Sequence, residues 1–349
     1  MPTTYAIPNG STAFAATLYT GNGGTQSITN TVNGVSMQPD FVWVKDRTAA
    51  GTGHYLTDVL RGVGYMLQSD TTAAEVNRTA GSRVSAFNSN GFSVVHVLNT
   101  DTNANGDAYV GWQWKANGAA VTNTAGSITS QVSANTTAGF SVVTYTGTGA
   151  NATVGHGLGV APSMVIVKRR DAGSSPWNVW QTGLSGGTYF LVLSATSAQA
   201  NGPTRFTATP TSTLFNIGTD SDVNASAGTH VAYCFAAVPG YSAFGSYTGN
   251  GSTDGVFVYT GFRPRWVMVK RTDTAGYAWV IIDTARSTYN QVALSLYANV
   301  ANADQTSDVY DILSNGFKLR TTDPANNASG GSYVYACFAE MPFKYANGR

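Results

Sequence analysis

Residues Asp101-Thr-Asn-Ala-Asn-Gly-Asp107 place oxygen-bearing side chains on alternate positions and follow them with a glycine. A calcium loop begins this way, because the cation takes about six to eight oxygen ligands and the chain must turn sharply to gather them. The candidate ligands are Asp101, Asn103, Asn105 and Asp107, and calcium is the one cofactor the pattern admits. Against it, Trp112 stands where the bidentate glutamate of such a loop belongs. Acids and amides recur at the corresponding place further on, as Asp220, Asp222 and Asn224 and again as Asp323, Asn326 and Asn327. A shared Asx-rich turn explains all three groups without metal.

Aromatic residues offer a second chemistry. Trp177, Trp180, Tyr277 and Trp279 follow lysine-ended strands and lie among Asn, Ser and Thr, the setting in which exposed rings stack on sugars. They are the candidate ligand-binding residues. The alternation in Trp177–Trp180 and Trp279–Ile282 fits the core of the next strand better, as rings supply much of a sandwich core. Catalysis finds less support. His54, His96, His156 and His230 are scattered, with no second ligand at metal spacing. The only two glutamates, Glu75 and Glu340, have no acidic neighbour two residues away, and Asp220 and Asp222 lie in a turn. Glycoside hydrolysis needs a facing carboxylate pair. The loop Gly155-His-Gly-Leu-Gly159 is not followed by a helix, which a phosphate loop requires. No catalytic residues are assigned and the chain is expected not to be an enzyme.

The elements that would position these residues are strands. Short β-branched and aromatic runs recur between Gly, Asn-Gly and Pro, and no window of a dozen residues keeps a helical period. The only helical candidates are short: Thr57 to Gly62, Asp283 to Arg286 and Asn290 to Tyr297. One pattern is written three times. Each copy opens on Tyr-Thr-Gly-Asn/Thr-Gly (from Tyr19, Tyr145 and Tyr247), passes a proline (Pro39, Pro162, Pro264) and enters a lysine-ended strand. Those strands run Phe41–Lys45, Met164–Lys168 and Trp266–Lys270. From the lysine to a later phenylalanine (Phe92, Phe215, Phe317) the interval is the same in all three. A period near 100 residues matches a small domain rather than a solenoid repeat. The expected fold is all-β, three tandem antiparallel sandwiches over residues 1–118, 119–243 and 244–349. The segment from Asn117 to Ala138 reads as a linker, with an edge strand at Ile128–Val132 at most, so copies two and three should form a rigid pair with copy one set apart.

Charged residues make up 11% of the chain and the net charge is +1, which does not indicate nucleic acid or anionic lipid as a partner. The basic runs Lys168-Arg169-Arg170 and Lys270-Arg271 read as solvated strand ends. No apolar stretch is long enough for a membrane helix and no signal peptide opens the chain. Synthesis in the cytoplasm is expected, with exit by lysis or inside a particle if the protein works outside a cell. Cys234 and Cys337 hold the same place in copies two and three, so they are expected to be buried free thiols rather than a bridge.

The stretches Asp40–Lys45, Phe87–Phe92 and Val110–Lys115, then Phe244–Gly251, Tyr259–Pro264, Ser314–Phe317 and Phe338–Tyr345, together carry a specific resemblance. In that order they resemble a module of tailed-phage genomes, a domain of unknown function in tail-fibre-like and other virion-associated proteins, described as concanavalin-like and found in repeats. The resemblance covers nearly the whole chain and brings no catalytic residues. It implies jelly-roll or concanavalin-like sandwiches on a virion surface. The first function it suggests is a tail-fibre or adhesin-like component that binds a host surface glycan or protein. The second is a structural head-decoration or fibre-attachment protein, favoured by the lack of a heptad shaft or collagen-like repeat. A polysaccharide-degrading enzyme ranks third. Partners would be other virion proteins and copies of the chain, a homotrimer by analogy with phage fibres, with no nucleic acid and no membrane insertion.

Overall fold

The computed structural model describes residues 6–32, 34–97 and 102–339. Among them the regular structure is antiparallel β, apart from a 3-10 turn at Gly10–Thr12 and two four-residue helices, Ser221–Asn224 and Pro324–Asn327. None is long enough to cross a membrane. The all-β expectation holds.

Each third of the chain contributes one large and one small sheet. The first large sheet runs Phe14–Thr20, Ala108–Trp114, Phe41–Asp46, His54–Asp58, Tyr65–Gln68, Val76–Asn77. The third runs Ser242–Thr248, Ser332–Phe338, Trp266–Arg271, Val280–Asp283, Ser295–Tyr297. The second has the same inner order, Phe140–Thr146, Thr229–Phe235, Met164–Arg169, Asn178–Gln181, Tyr189–Val192, extended at both edges. Lys45, Lys168 and Lys270 pair with Val110, Val231 and Val334, so all three occupy one register position.

The lysine-ended strands are apolar at every step because both of their faces are covered, and a doubly covered strand has no solvent side to keep polar. Val42 and Val44 face the first small sheet, Val165 and Val167 the second, Val267 and Val269 the third. The alternate residues Phe41, Trp43, Met164, Ile166, Trp266 and Met268 point the other way, into one core common to all three thirds. At its centre the rings of Trp114, Phe235 and Phe338, register equivalents of one another, sit 6.1, 5.6 and 5.6 Å apart between centroids. The three large sheets therefore close into a ring about a local threefold axis. The expectation that copy one stands apart from a rigid pair is corrected: burying the second face of each large sheet requires all three at once.

Three further expectations change. The segment read as linker supplies Val121–Asn123 and Ser130–Asn135, and the latter pairs with Phe140–Thr146 over six residue pairs. An edge hairpin covered on one side needs few apolar residues, which is why its composition resembles a loop. The strand Ser242–Thr248 starts two residues before the boundary placed at 243/244. The helical candidates are strand ends followed by turns: Asp58 accepts from the amides of Leu60 and Arg61, Asp283 from those of Ala285 and Arg286, and Ser295–Tyr297 is a strand. The side-chain carboxylate stops each strand by capping the turn after it.

Candidate functional site

Three of the four proposed sugar-stacking rings lie in the interior. Trp177, Trp180 and Trp279 are at most 4% exposed. Trp177 Nε1 donates to the carbonyl of Gln68 at 2.8 Å and Trp279 Nε1 to that of Val192 at 2.9 Å, each reaching into the preceding third. His54 fills the corresponding place in the first third, with its pKa held down by burial and then by Lys45, against the carbonyls of Tyr297 and Val300. Tyr277 is half-buried, with the Arg271 guanidinium 4.7 Å from its ring centre. Trp177 and Trp279 are corrected from a binding surface to seam contacts, because the sheet face that carries them is covered, and Trp180 is corrected to the core of the second third itself, beside Phe206 and Phe215.

The calcium pattern resolves into a hydrogen-bonded clasp. Asp101 lies outside the described residues. Asn103 donates from Nδ2 to Asn22 Oδ1 and to the carbonyl of Gly24, and its Oδ1 accepts from the Asn22 amide and from Gln26 Nε2. Its amide is fully used, leaving no oxygen lone pair aimed at a cation. Asn105 is exposed. Asp107 sits beside Asp46, and burial followed by that carboxylate raises its pKa. Asn224 and Asn327 repeat the clasp, accepting from the amides of Thr148 and Asn250. Gly23, Gly149 and Gly251 donate to the main-chain carbonyls of the same three asparagines at 3.0, 2.8 and 2.8 Å. A Cβ on Gly21, Gly147 or Gly249 would meet a carbonyl oxygen at 2.0 to 2.3 Å, so the motif demands glycine there. The tyrosine that opens each motif donates its hydroxyl to the same turn, at 2.6, 2.6 and 2.7 Å. No group of three or more His, Cys, Asp or Glu among the described residues could hold a metal ion.

Lys168 and Lys270, expected at solvated strand ends, are buried, as is Lys45. Each Nζ donates to the carbonyl of the next residue at 2.6 to 2.9 Å. Burial brings all three pKa values down to about 8. Arg169 and Arg271 remain at the surface, paired with Asp171 and Asp273.

Several of the acids and both thiols are committed to packing as well. Asp58 and Arg61 form a buried pair at 2.5 Å, with Tyr233 of the next third donating to Asp58 at 2.8 Å. Asp283 and Arg286 repeat it at 2.6 Å, with Trp112 Nε1 donating to Asp283 at 3.0 Å. Glu75 links Arg61 to Arg170, and Asp304 links Arg286 to Arg47. Arg205 bridges Asp220 and Asp222. Cys234 and Cys337 are buried and free, and burial pushes both thiols up, away from the reactive thiolate. His230 is driven down to about 4, mainly by burial, and stacks on Tyr145.

A cleft of about 250 Å³ opens to solvent between the first and third parts of the chain, lined by Thr17, Leu18, Thr29, Thr31, Arg265, Thr284 and Thr288 among others. Arg265 Nη1 donates to Thr284 Oγ1 at 3.2 Å. Hydroxyls and a guanidinium can hydrogen-bond a polar ligand, but the lining residues include no nucleophile beside a general base. No sequence pattern announced this cleft, since its walls are some 250 positions apart. Among curated proteins none matches the chain. A single family model runs through all three thirds, from residue 9 to 342, and the chain belongs to that family, the Domain of unknown function (DUF7483).

Proposed function

We propose that this protein is a bacteriophage virion surface component, tail-fibre or adhesin-like, that takes part in host attachment by binding a surface glycan or protein and performs no catalysis. The resemblance of its repeated motifs to tail-fibre-like proteins supports the virion assignment. The observation that carries the binding role is the closed ring: three sheets locked on one core make a rigid platform whose small sheets and loops point outward. Binding residues are best varied on such a scaffold, because the loops can change without cost to the core. A second reading, a head-decoration or fibre-attachment protein, is favoured by the same local threefold, which would suit a threefold or sixfold position in a particle.

Mass spectrometry of purified particles, with antibody labelling in the electron microscope, tests the assignment. The chain is expected in the virion at a discrete site, and purified protein is expected to block adsorption to host cells. Labelling on the head, with no effect on adsorption, would favour the structural reading. Absence from the particle, or turnover of a polysaccharide, would overturn both.

A further inference from the structure

The outward faces of the small sheets are where the three thirds diverge. Val258 pairs with Phe317, and the corresponding pairs are Ile28 with Phe92 and Val154 with Phe215. All six residues are buried, so by the two-residue period of a strand their neighbours project outward. Those neighbours are Ser27 and Thr29 in the first sheet, both exposed, and Thr153 and Gly155 in the second, where Asn123 covers the glycine, but Phe257 and Tyr259 in the third. Phe257 is 42% exposed and Tyr259 67%. The Phe257 ring lies across Gly316, where an added Cβ would come within 2.9 Å of it.

Beside the rings stand four charges that cancel. Lys318 Nζ is 2.6 Å from Asp254, Arg320 Nη1 is 3.2 Å from the same carboxylate, and Arg320 Nε is 2.6 Å from Asp311. Two cations against two carboxylates leave no net field to attract an ionic ligand. The Asp254 side chain is 79% exposed, and exposed pairs of this kind contribute little stability, so they can re-form around incoming hydroxyls. The sheet is small: three strands of three to four residues span roughly 10 by 13 Å. That is far below the ~800 Å² per partner of a stable protein interface.

We propose that this face is a binding platform for a neutral carbohydrate. Phe257 and Tyr259 stack on the C–H faces of pyranose rings, while Asp254 and Lys318 hydrogen-bond to ring hydroxyls. The assignment deepens the attachment reading and rests on it only for the source of the glycan.

Saturation-transfer NMR on the full chain, with neutral malto-, cello- and galacto-hexasaccharides as probes, tests it. Transfer to the ring protons of at least one probe is expected, with affinity about tenfold weaker in Tyr259→Ala and in Phe257→Ala. Tyr259→Phe, which keeps the ring, should bind nearly as well as the native chain, and Ser27→Ala, on the equivalent sheet, should be unaffected. Exposed positions are chosen so that folding survives, and a native-like thermal unfolding curve checks this. No transfer to any of the three, equal transfer in a Phe257→Ala/Tyr259→Ala double variant, or binding to polygalacturonate alone would overturn the platform. Sugar binding by a protein missing from the virion would sink the attachment reading and leave the platform standing.

Discussion

Two of the seams in the ring are charged and the third is neutral, although the same main-chain bonds close all of them. Glu75 donates its amide to the carbonyl of Arg170, Gln199 to that of Thr272 and Asp304 to that of Arg47, all at 2.8 to 2.9 Å. At the charged seams Asp58, Arg61, Glu75 and Arg170, or Asp283, Arg286, Asp304 and Arg47, form continuous ion-pair chains. The neutral seam has Gln181, Leu184, Gln199 and Thr272 at the matching places. Gln181 Nε2 donates instead to the carbonyls of Gly245 and Tyr335 at 3.2 and 3.1 Å. All four charges are missing together, as expected when a buried charge is tolerable only with its whole network. Closure of the ring thus resides in the backbone ladder and the common apolar core, and the ion pairs are one of two ways to fill the same volume.

The largest effect should come from breaking one charge out of a charged seam. Arg286→Ala leaves Asp283 buried and unpaired, and Arg61→Ala does the same to Asp58, so each is expected to cost about 3–5 kcal/mol in urea unfolding. Leu184→Arg puts an unpaired guanidinium into the neutral seam and should be comparably destabilising. If these three variants unfold like the native chain, the seams are wet and the comparison fails. Gln181→Leu is expected to cost less, about 1–3 kcal/mol, because it removes neutral hydrogen bonds, to the carbonyls of Gly245 and Tyr335 and from the amide of Gly183, rather than the partner of a charge. A loss as large as that of Arg286→Ala would mean that charge is not what separates the seams.

Much of this was legible in the sequence, up to a definite point. The three copies, their strands and the identical lysine-to-phenylalanine interval all follow from local patterning. The run Phe41-Val-Trp-Val also carried the signal for the ring, since an antiparallel strand with no polar face must be covered twice. The covering partner was not visible, because Trp177 meets Gln68 and Trp112 meets Asp283 across 109 and 171 positions. Asn103 shows the opposite limit. Alternating oxygen side chains suit a cation and an Asx clasp equally, and only the return of the clasp at Asn224 and Asn327, each facing its own Gly-rich turn, separates them. Phe257 and Tyr259 carry no signal of their own in the sequence because they sit in an ordinary alternating strand, and what marks them is the small residues at the equivalent places in the other two sheets.

The smallest predicted effect concerns what the charged and neutral seams share. Lys45, Lys168 and Lys270 end the strands beside all three seams, and burial lowers each to about 8 against about 10.4 in an unfolded chain. Between those values the unfolded state binds the proton that the folded state has released, so stability rises with pH through the window from about 8 to 10.4 and is lowest below it. Over pH 7.5 to 9 the gain is about 1 kcal/mol per lysine. The two buried thiols and the buried tyrosines act in the opposite direction as their unfolded forms ionise, so the slope of the native chain alone mixes several groups. Subtracting the pH dependence of Lys168→Met from that of the native chain removes those shared contributions and isolates one amine. The difference is expected to climb by about 1 kcal/mol from pH 7.5 to 9, with Lys270→Met giving the same result at the neutral seam. A flat difference at both seams would mean the amines stay protonated as they do in water. A slope at one seam alone would show that the neighbouring ion pairs, rather than burial, set the lysine.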